Sequence, residues 1–224
     1  MHIIYAAIVR MLAEKPSLNR FIINGRAYAR NDIWVSLVIK KNMSEEAEET
    51  VLKLPFTGSE NIFEIKQKLE DAIITNKEIT AENDTDKIVK MLTYIPHCVM
   101  KFAVNFLMFL DKINMLPKAV IKASPFHTSA FLTNVGSLGI DAIYHHIYDF
   151  GTTGLFLAMG KKKKSFIYDD EGTLKEERSI SLAWVADERI CDGFYYANSI
   201  KQFKRYLKKP ELLENNIEPV KDVD

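Results

Sequence analysis

The sequence has few cysteines and no long uninterrupted apolar run. Two cysteines in 224 residues are too few for a disulfide scaffold, and such sparse use is typical of a reducing compartment, so we expect a cytoplasmic location. The most apolar stretch, 95–110, is broken by a proline, a lysine and an asparagine. Because it is also shorter than the roughly 20 apolar residues of a membrane-spanning helix, we interpret it as a buried or interface helix and expect no membrane span.

The chain also has no net charge. Its 30 basic and 30 acidic side chains cancel, so no overall field attracts nucleic acid or an anionic membrane, and we expect neither partner. The five histidines show no spacing to cysteines or acids that is typical of a metal site, and we expect no metal and no bound cofactor. The 47% of apolar residues suffices for the core of one domain spanning 1–224.

Helical and strand periodicities alternate along the first half of the chain. Asn24-Gly25 between two apolar runs is a strong hairpin signal, and Pro16 ends the first helical pattern. The predicted elements are a helix over 2–14, hairpin strands over 20–23 and 26–30, a strand over 33–40, an acidic link over 44–50, a helix over 61–76, a polar loop over 77–86 and helical structure over 86–115.

The most informative stretch lies near the C-terminus. Residues 180–185 are rich in apolar and aromatic side chains and predict a strand, and 194–207 carry apolar residues at helical spacing. Between them, the turn 187–193 reads DERICDG and carries several charges and a glycine. Corners between a strand and a helix often display catalytic groups, although many are only solvated turns.

This corner resembles the C-terminal signature of the acyltransferase component of 2-oxo-acid dehydrogenase complexes, and of the related chloramphenicol acetyltransferase. The family turn is D-H-R-x-x-D-G, followed by a helix and an ending that 209–213, KPELL, matches. Residues 130–139 and 151–160 resemble the family segments "FTISNLG..G" and "ppq.ailgvG". The resemblance covers nearly the whole chain, but the family domain begins several dozen residues earlier, so we expect the N-terminal part of that domain to be missing.

The resemblance implies an α+β fold, a two-layer α/β sandwich in which helices flank a mixed sheet. It also implies transfer of an acyl group between coenzyme A and a thiol or hydroxyl acceptor, in homotrimers whose active sites lie between subunits. In that family a histidine is the general base and a serine or threonine hydroxyl stabilises the oxyanion. The matching hydroxyl here is Thr133, beside Asn134, and Asp192 matches the aspartate that holds the turn in shape.

One departure from the family affects the chemistry directly, because Glu188 stands where the family has its histidine. An ordinary glutamate is about two pKa units less basic than histidine, which removes about 3 kcal/mol of driving force for proton abstraction. Burial between subunits could restore much of that basicity. Alternatively, Glu188 is an exposed turn residue in a non-catalytic relative. For His145 and His146 there are also two interpretations: one of them has become the base, or both are ordinary surface residues.

Other candidate residues have equally plausible structural interpretations. Thr133 could be a strand threonine that bonds at a sheet edge, and Asp192 could serve as the first acid of a helix, where the macrodipole favours negative charge. The four lysines at 161–164 predict a solvated turn or a contact to coenzyme A phosphates. Cys191 is better interpreted as a small buried residue than as a nucleophile.

Two hypotheses therefore remain. The first is an acyltransferase that uses acyl-coenzyme A, with Glu188 or a loop histidine as a weak or retuned base. The second is a catalytically inactive acyltransferase-like module that acts in ligand binding or assembly.

Overall fold

A computed structural model describes residues 1–40, 49–77, 96–169 and 171–222. Its helices are α1 (His2–Glu14), α2 (Ile62–Lys77), α3 (His97–Lys112), α4 (Lys118–Ala123) and α5 (Gly193–Lys208). Its strands are β1 (Arg20–Ile23), β2 (Arg26–Ala29), β3 (Ile33–Lys40), β4 (Glu49–Phe56), β5 (Ala130–Asn134), β6 (Leu155–Tyr168) and β7 (Leu174–Ala186).

Five of these strands form one mixed sheet in the order β4-β3-β5-β6-β7. The middle strand, β5, runs parallel to both of its neighbours, and the two outer strands pair antiparallel. β1 and β2 form a separate hairpin whose turn, Asn24-Gly25, has positive φ at both residues, as a two-residue hairpin turn requires. The expected α+β class, a mixed sheet with flanking helices, is confirmed.

Three helices cover one face of the sheet. α1 is apolar around most of its circumference and is almost entirely buried, because it lies between α2, α5 and the sheet. The buried Arg10 of α1 donates to the carbonyl oxygens of Leu212 (3.3 Å) and Asn215 (2.5 Å), which holds the chain that follows α5 against the helix layer. A buried cation that is hydrogen-bonded in this way avoids most of its desolvation cost.

Aromatic side chains cover the opposite face of the sheet. Phe131 of β5 and Phe156 of β6 stack at 5.2 Å, and the residues on either side of them in each strand point into the helix layer. Tyr148 lies 5.5 Å from Phe131, and His145 stacks on Phe156 at 4.6 Å. The segment from 141 to 150 is therefore packed onto the sheet by its own aromatic rings.

The structure corrects several expectations. Most of the acidic link falls on 41–48, outside the described residues, but its last positions begin the unpredicted strand β4. The lysines at 161–164 lie within the single strand β6 rather than in a turn, and the hairpin turn comes at 169–173. The predicted loop from 78 to 86 lies outside the described residues.

Of the two alternatives predicted for 95–110, a buried helix or an interface helix, helix α3 is not the buried one in this single chain. None of its residues is fully buried, and Val99, Phe102, Phe106 and Phe109 form an exposed stripe. Phe102 and Phe106 stack on each other at 6.4 Å. Among the described residues, no helix is both long and apolar enough to cross a bilayer.

Candidate active site

The turn between β7 and α5 is closed by its own hydrogen bonds. The Asp187 nitrogen donates to the carbonyl of Gly154, the residue before β6 (3.0 Å), and the Ile190 nitrogen donates back to the Asp187 carbonyl (3.1 Å). Arg189 grips the Asp187 carboxylate with two donors, at 2.8 and 2.7 Å, and this contact lowers the pKa of Asp187. With both neighbours fixed and Ile190 buried beneath, Glu188 is left exposed at the tip.

Asp192 begins helix α5. Its side chain accepts a hydrogen bond from the backbone nitrogen of Tyr195 at 2.8 Å, which is the usual role of an N-cap acid. Gly193 is the first helical residue and does not take a left-handed backbone angle. Burial and the adjacent Asp192 raise the pKa of Cys191, which disfavours its thiolate and hence a nucleophilic role.

Glu188 borders an open cleft of about 660 Å³. The cleft is lined by part of β1 with Asn24, the end of α3 and residues 151–154. Residues 146–149 and the turn at 185–189, including Asp187 and Arg189, also line it. The cleft is wide enough for a small acceptor molecule.

Thr133 and Asn134 lie elsewhere, at the end of β5. Thr133 pairs with Ala158 of β6, four residues beyond the point where the turn bonds to Gly154, or about 13 Å along the strand. Within the described residues the Thr133 hydroxyl makes no hydrogen bond, so the sheet-edge alternative does not hold. Asn134 borders a second cleft, of about 420 Å³. One chain therefore does not bring Glu188 and Thr133 together.

Gly136 explains part of the motif that follows Thr133. A Cβ atom at this position would lie 2.3 Å from the carbonyl oxygen of Gly160, so any larger residue would push β6 away. The backbones at Gly136 and Gly160 are thus in close contact, and both residues border the second cleft. This close approach fixes Asn134 and the adjacent 3-10 turn against Lys161 and Lys162, which border the same cleft.

The loop histidines have different environments. His145 is half-buried on Phe156, and its Nε2 atom has no partner among the described residues. His146 is exposed and borders the same cleft as Glu188. The sequence could not separate the two, since both belong to one polar-aromatic loop.

A buried hydrogen-bonded chain lies behind the cleft and was not anticipated from the sequence. His127 is 3% exposed, and its Nε2 donates to Asp111 (2.9 Å) while its Nδ1 accepts from the Ser124 hydroxyl (2.8 Å). Burial lowers the pKa of His127, although Asp111 opposes the shift. Asp111 also accepts from the Gly151 nitrogen at 3.1 Å. This hydrogen-bonded network thus ties Asp111, at the end of α3, to His127 and Gly151, which no local sequence pattern reveals.

Lys53 supports this network from the other side. Its Nζ donates to the carbonyls of Ile121 (2.6 Å) and Ser124 (2.9 Å) and lies 5.1 Å from the centre of the Trp34 ring. Burial, with a smaller effect from the charge of Arg30, lowers the pKa of Lys53 from 10.5 to about 7.

We expect this depressed pKa to make stability depend on pH. Between pH 7 and 10.5 the unfolded chain keeps the Lys53 proton that the folded chain has lost. The free energy of unfolding should therefore rise as pH increases across this window. Urea unfolding of wild type and Lys53→Met at several pH values measures the two slopes. The variant should show the smaller slope, and equal slopes would contradict the assignment.

Comparison with known proteins relates part of the chain to one family. Residues 121–214 match the family described as 2-oxoacid dehydrogenases acyltransferase (catalytic domain). These residues are similar to the catalytic domain of that acyltransferase family. The matched region contains Thr133, Asn134, Glu188 and Asp192, whereas helix α3 lies before it. A comparison with curated proteins gave no match.

Solved structures of acyltransferases share the fold over nearly the whole chain. A probable dihydrolipoamide acetyltransferase from Listeria monocytogenes is 15% identical, with a TM-score of 0.58 over 93% of this chain and 69% of that one. The cubic core of the pyruvate dehydrogenase multienzyme complex is 10% identical, with a TM-score of 0.59 over 95% and 69%. Dihydrolipoamide acetyltransferase from Azotobacter vinelandii, studied for the catalytic role of a serine, a histidine and an asparagine, is 10% identical, with a TM-score of 0.58 over 95% and 69%.

Proposed function

We propose that the protein transfers an acyl group between acyl-coenzyme A and a thiol or hydroxyl acceptor. The observation that carries the proposal is the acyltransferase match over 121–214, which includes both the Thr133 strand end and the Glu188 turn. Each of these borders or adjoins an open cleft. Acyl transfer needs a proton acceptor for the nucleophile and a donor to the oxyanion, and these two regions offer groups of both kinds.

The active site in this proposal is completed by a second copy of the chain. Within one chain the Glu188 turn and Thr133 are separated along β6, too far to act on one carbonyl carbon. In a homotrimer, the turn of one copy meets the Thr133 strand end of the next, as the family resemblance implies. The hydroxyl of Thr133, without a partner among the described residues, is then available to donate to the oxyanion.

Asp192 and Asn134 are assigned supporting roles. The histidine and asparagine studied in the Azotobacter vinelandii enzyme are four positions apart, as are Glu188 and Asp192 in this chain. Asp192 caps α5 and so fixes the direction in which the turn presents Glu188. Asn134 borders the second cleft beside Thr133, where its amide can orient the thioester.

Coenzyme A is proposed to bind at the second cleft. Lys161 and Lys162 are exposed and border it together with Asn134, and an ammonium group attracts phosphate as a point charge. The free Cys98 and Cys191 agree with a cytoplasmic protein, which we also propose.

Removing these two lysines should weaken coenzyme A binding. We expect Lys161→Ala combined with Lys162→Ala to raise KM for acetyl-coenzyme A about tenfold, equivalent to about 1.4 kcal/mol, with kcat little changed. Lys164→Ala is the matched control, because Lys164 pairs with Glu176 at 2.8 Å on the same strand and lies outside this cleft. Equal KM values for all three proteins would refute a phosphate contact here.

The proposed activity is tested by incubating the protein with acetyl-coenzyme A and either dihydrolipoamide or an alcohol acceptor. Chromatography and mass spectrometry follow free coenzyme A and the acylated acceptor, since transfer to a thiol leaves the total thiol unchanged. Acceptor-dependent turnover by wild type supports the enzyme. No turnover by wild type, together with turnover by Glu188→His, would show instead an inactive module that retains the assembly.

A further inference from the structure

We propose that His146 is the proton acceptor of the acyl transfer, replacing the histidine that the turn lacks. This inference rests on the proposed function and names the group that performs its first step. His146 borders the same cleft as Glu188, although the two are far apart in sequence. A loop has therefore placed an imidazole beside the position from which the family's imidazole is missing.

The position of His146 is fixed by its neighbours in the loop. His145 stacks on Phe156 at 4.6 Å, and Tyr148 packs against Phe126 at 4.4 Å. Tyr148 also lies 5.5 Å from Phe131 of β5, so rings on both sides of His146 attach the loop to the sheet, while the His146 side chain itself is exposed and borders the cleft. A base must be held within reach of the proton that it removes, and the two anchors provide that positioning.

One hydrogen bond also sets the tautomer of His146. Its Nδ1 lies 3.0 Å from the carbonyl oxygen of Ile147. Because a carbonyl oxygen only accepts hydrogen bonds, Nδ1 carries the proton in this contact. In the neutral ring, Nε2 then keeps its lone pair and is the nitrogen able to accept a proton.

The reaction step balances without any further reactant. Nε2 takes the proton from the acceptor's thiol or hydroxyl, and the sulfur or oxygen forms a bond to the thioester carbonyl carbon. The tetrahedral intermediate then collapses, its bond to the coenzyme A sulfur breaks, and the proton on Nε2 passes to that thiolate.

The other candidate bases fit less well. Glu188 is exposed at the tip of its turn, and an ordinary carboxylate is a weak base for a thiol or hydroxyl proton. His127 is buried and does not border the cleft, and both of its nitrogens are engaged, by Asp111 and Ser124. His145 has its ring against Phe156 and also does not border the cleft.

The test compares steady-state kinetics of wild type, His146→Ala, Glu188→Gln and His97→Ala, with acetyl-coenzyme A and dihydrolipoamide, with and without added imidazole. We expect His146→Ala to lower kcat by about 10²–10⁴-fold, with KM little changed, and imidazole to restore part of the loss. Glu188→Gln should lose less. His97→Ala is the matched control, because His97 is exposed at the far end of α3, and it should behave as wild type.

The outcomes separate this inference from the function on which it rests. Turnover by wild type with an undiminished His146→Ala variant, or with a loss that imidazole does not relieve, overturns the role of His146 and leaves the acyl transfer intact. A large loss in Glu188→Gln with none in His146→Ala assigns the base to Glu188 instead. Absence of turnover in wild type refutes both proposals.

Discussion

Replacing Thr133 with valine should lower kcat for acyl transfer by about 10²–10³-fold, the usual effect of removing one oxyanion donor. Valine has nearly the shape of threonine, so the packing of β5 changes little. Since the Thr133 hydroxyl makes no hydrogen bond within the described residues, its loss leaves no partner unpaired in the chain. The effect should appear in kcat, with KM for acetyl-coenzyme A almost unchanged, because an oxyanion donor acts mainly on the transition state.

Thr133→Ser is the matched control for this variant. Serine keeps the hydroxyl and loses only a methyl group, so its kcat should stay within severalfold of wild type. Unfolding curves of both variants should overlay that of wild type. If Thr133→Val retained wild-type kcat, the hydroxyl would have no part in the reaction, and the assignment of this strand end to the active site would be wrong.

Replacing Phe203 with alanine should lower the free energy of unfolding by about 3–5 kcal/mol, as expected for removing a buried phenyl ring. Phe203 is 1% exposed and packs edge-on against Trp184 of β7 at 5.0 Å. This contact joins α5 to the sheet directly beyond the Glu188 turn, so its loss should destabilise the packing of the whole helix layer. Urea denaturation followed by circular dichroism measures the change.

Phe194→Ala makes the comparison within the same helix. Phe194 is 78% exposed, and an exposed substitution of this kind usually changes stability by about 0.5 kcal/mol or less. Similar losses for the two variants would mean that Phe203 does not occupy the core position described here. A large loss of unfolding free energy in Phe203→Ala and a small one in Phe194→Ala would agree with α5 packing through its Phe203 face.

The elements with complete local signals could be predicted from the sequence almost to the residue. Helix α1, the Asn24-Gly25 hairpin and strand β3 follow from periodicity and turn chemistry, and the α5 helix is bounded by an N-cap acid and by Pro210. The prediction of a turn at 161–164 was wrong for a physical reason. Consecutive lysines resemble a solvated turn, but a long two-stranded ribbon exposes both faces and tolerates them within a strand.

The site was only partly predictable. Glu188, Thr133 and Asp192 follow from a family motif, which is a local pattern. The cleft that joins His146 to Glu188 is a long-range arrangement, created when the aromatic residues of the loop pack onto β5 and β6. The same holds for the Asp111 and His127 pair. Such contacts form only when the complete sheet is assembled, so no residue spacing in the sequence predicts them.

Mixing two inactive variants tests most directly the central claim, that the acyl-transfer site joins the turn region of one copy to Thr133 of another. Thr133→Val and His146→Ala proteins are dissociated together, reassembled at equal amounts and assayed with acetyl-coenzyme A and dihydrolipoamide. Random assembly of a cyclic trimer makes about a quarter of the sites intact, so activity should return to about that fraction of wild type. Mixtures that remain as inactive as either variant alone would contradict the account.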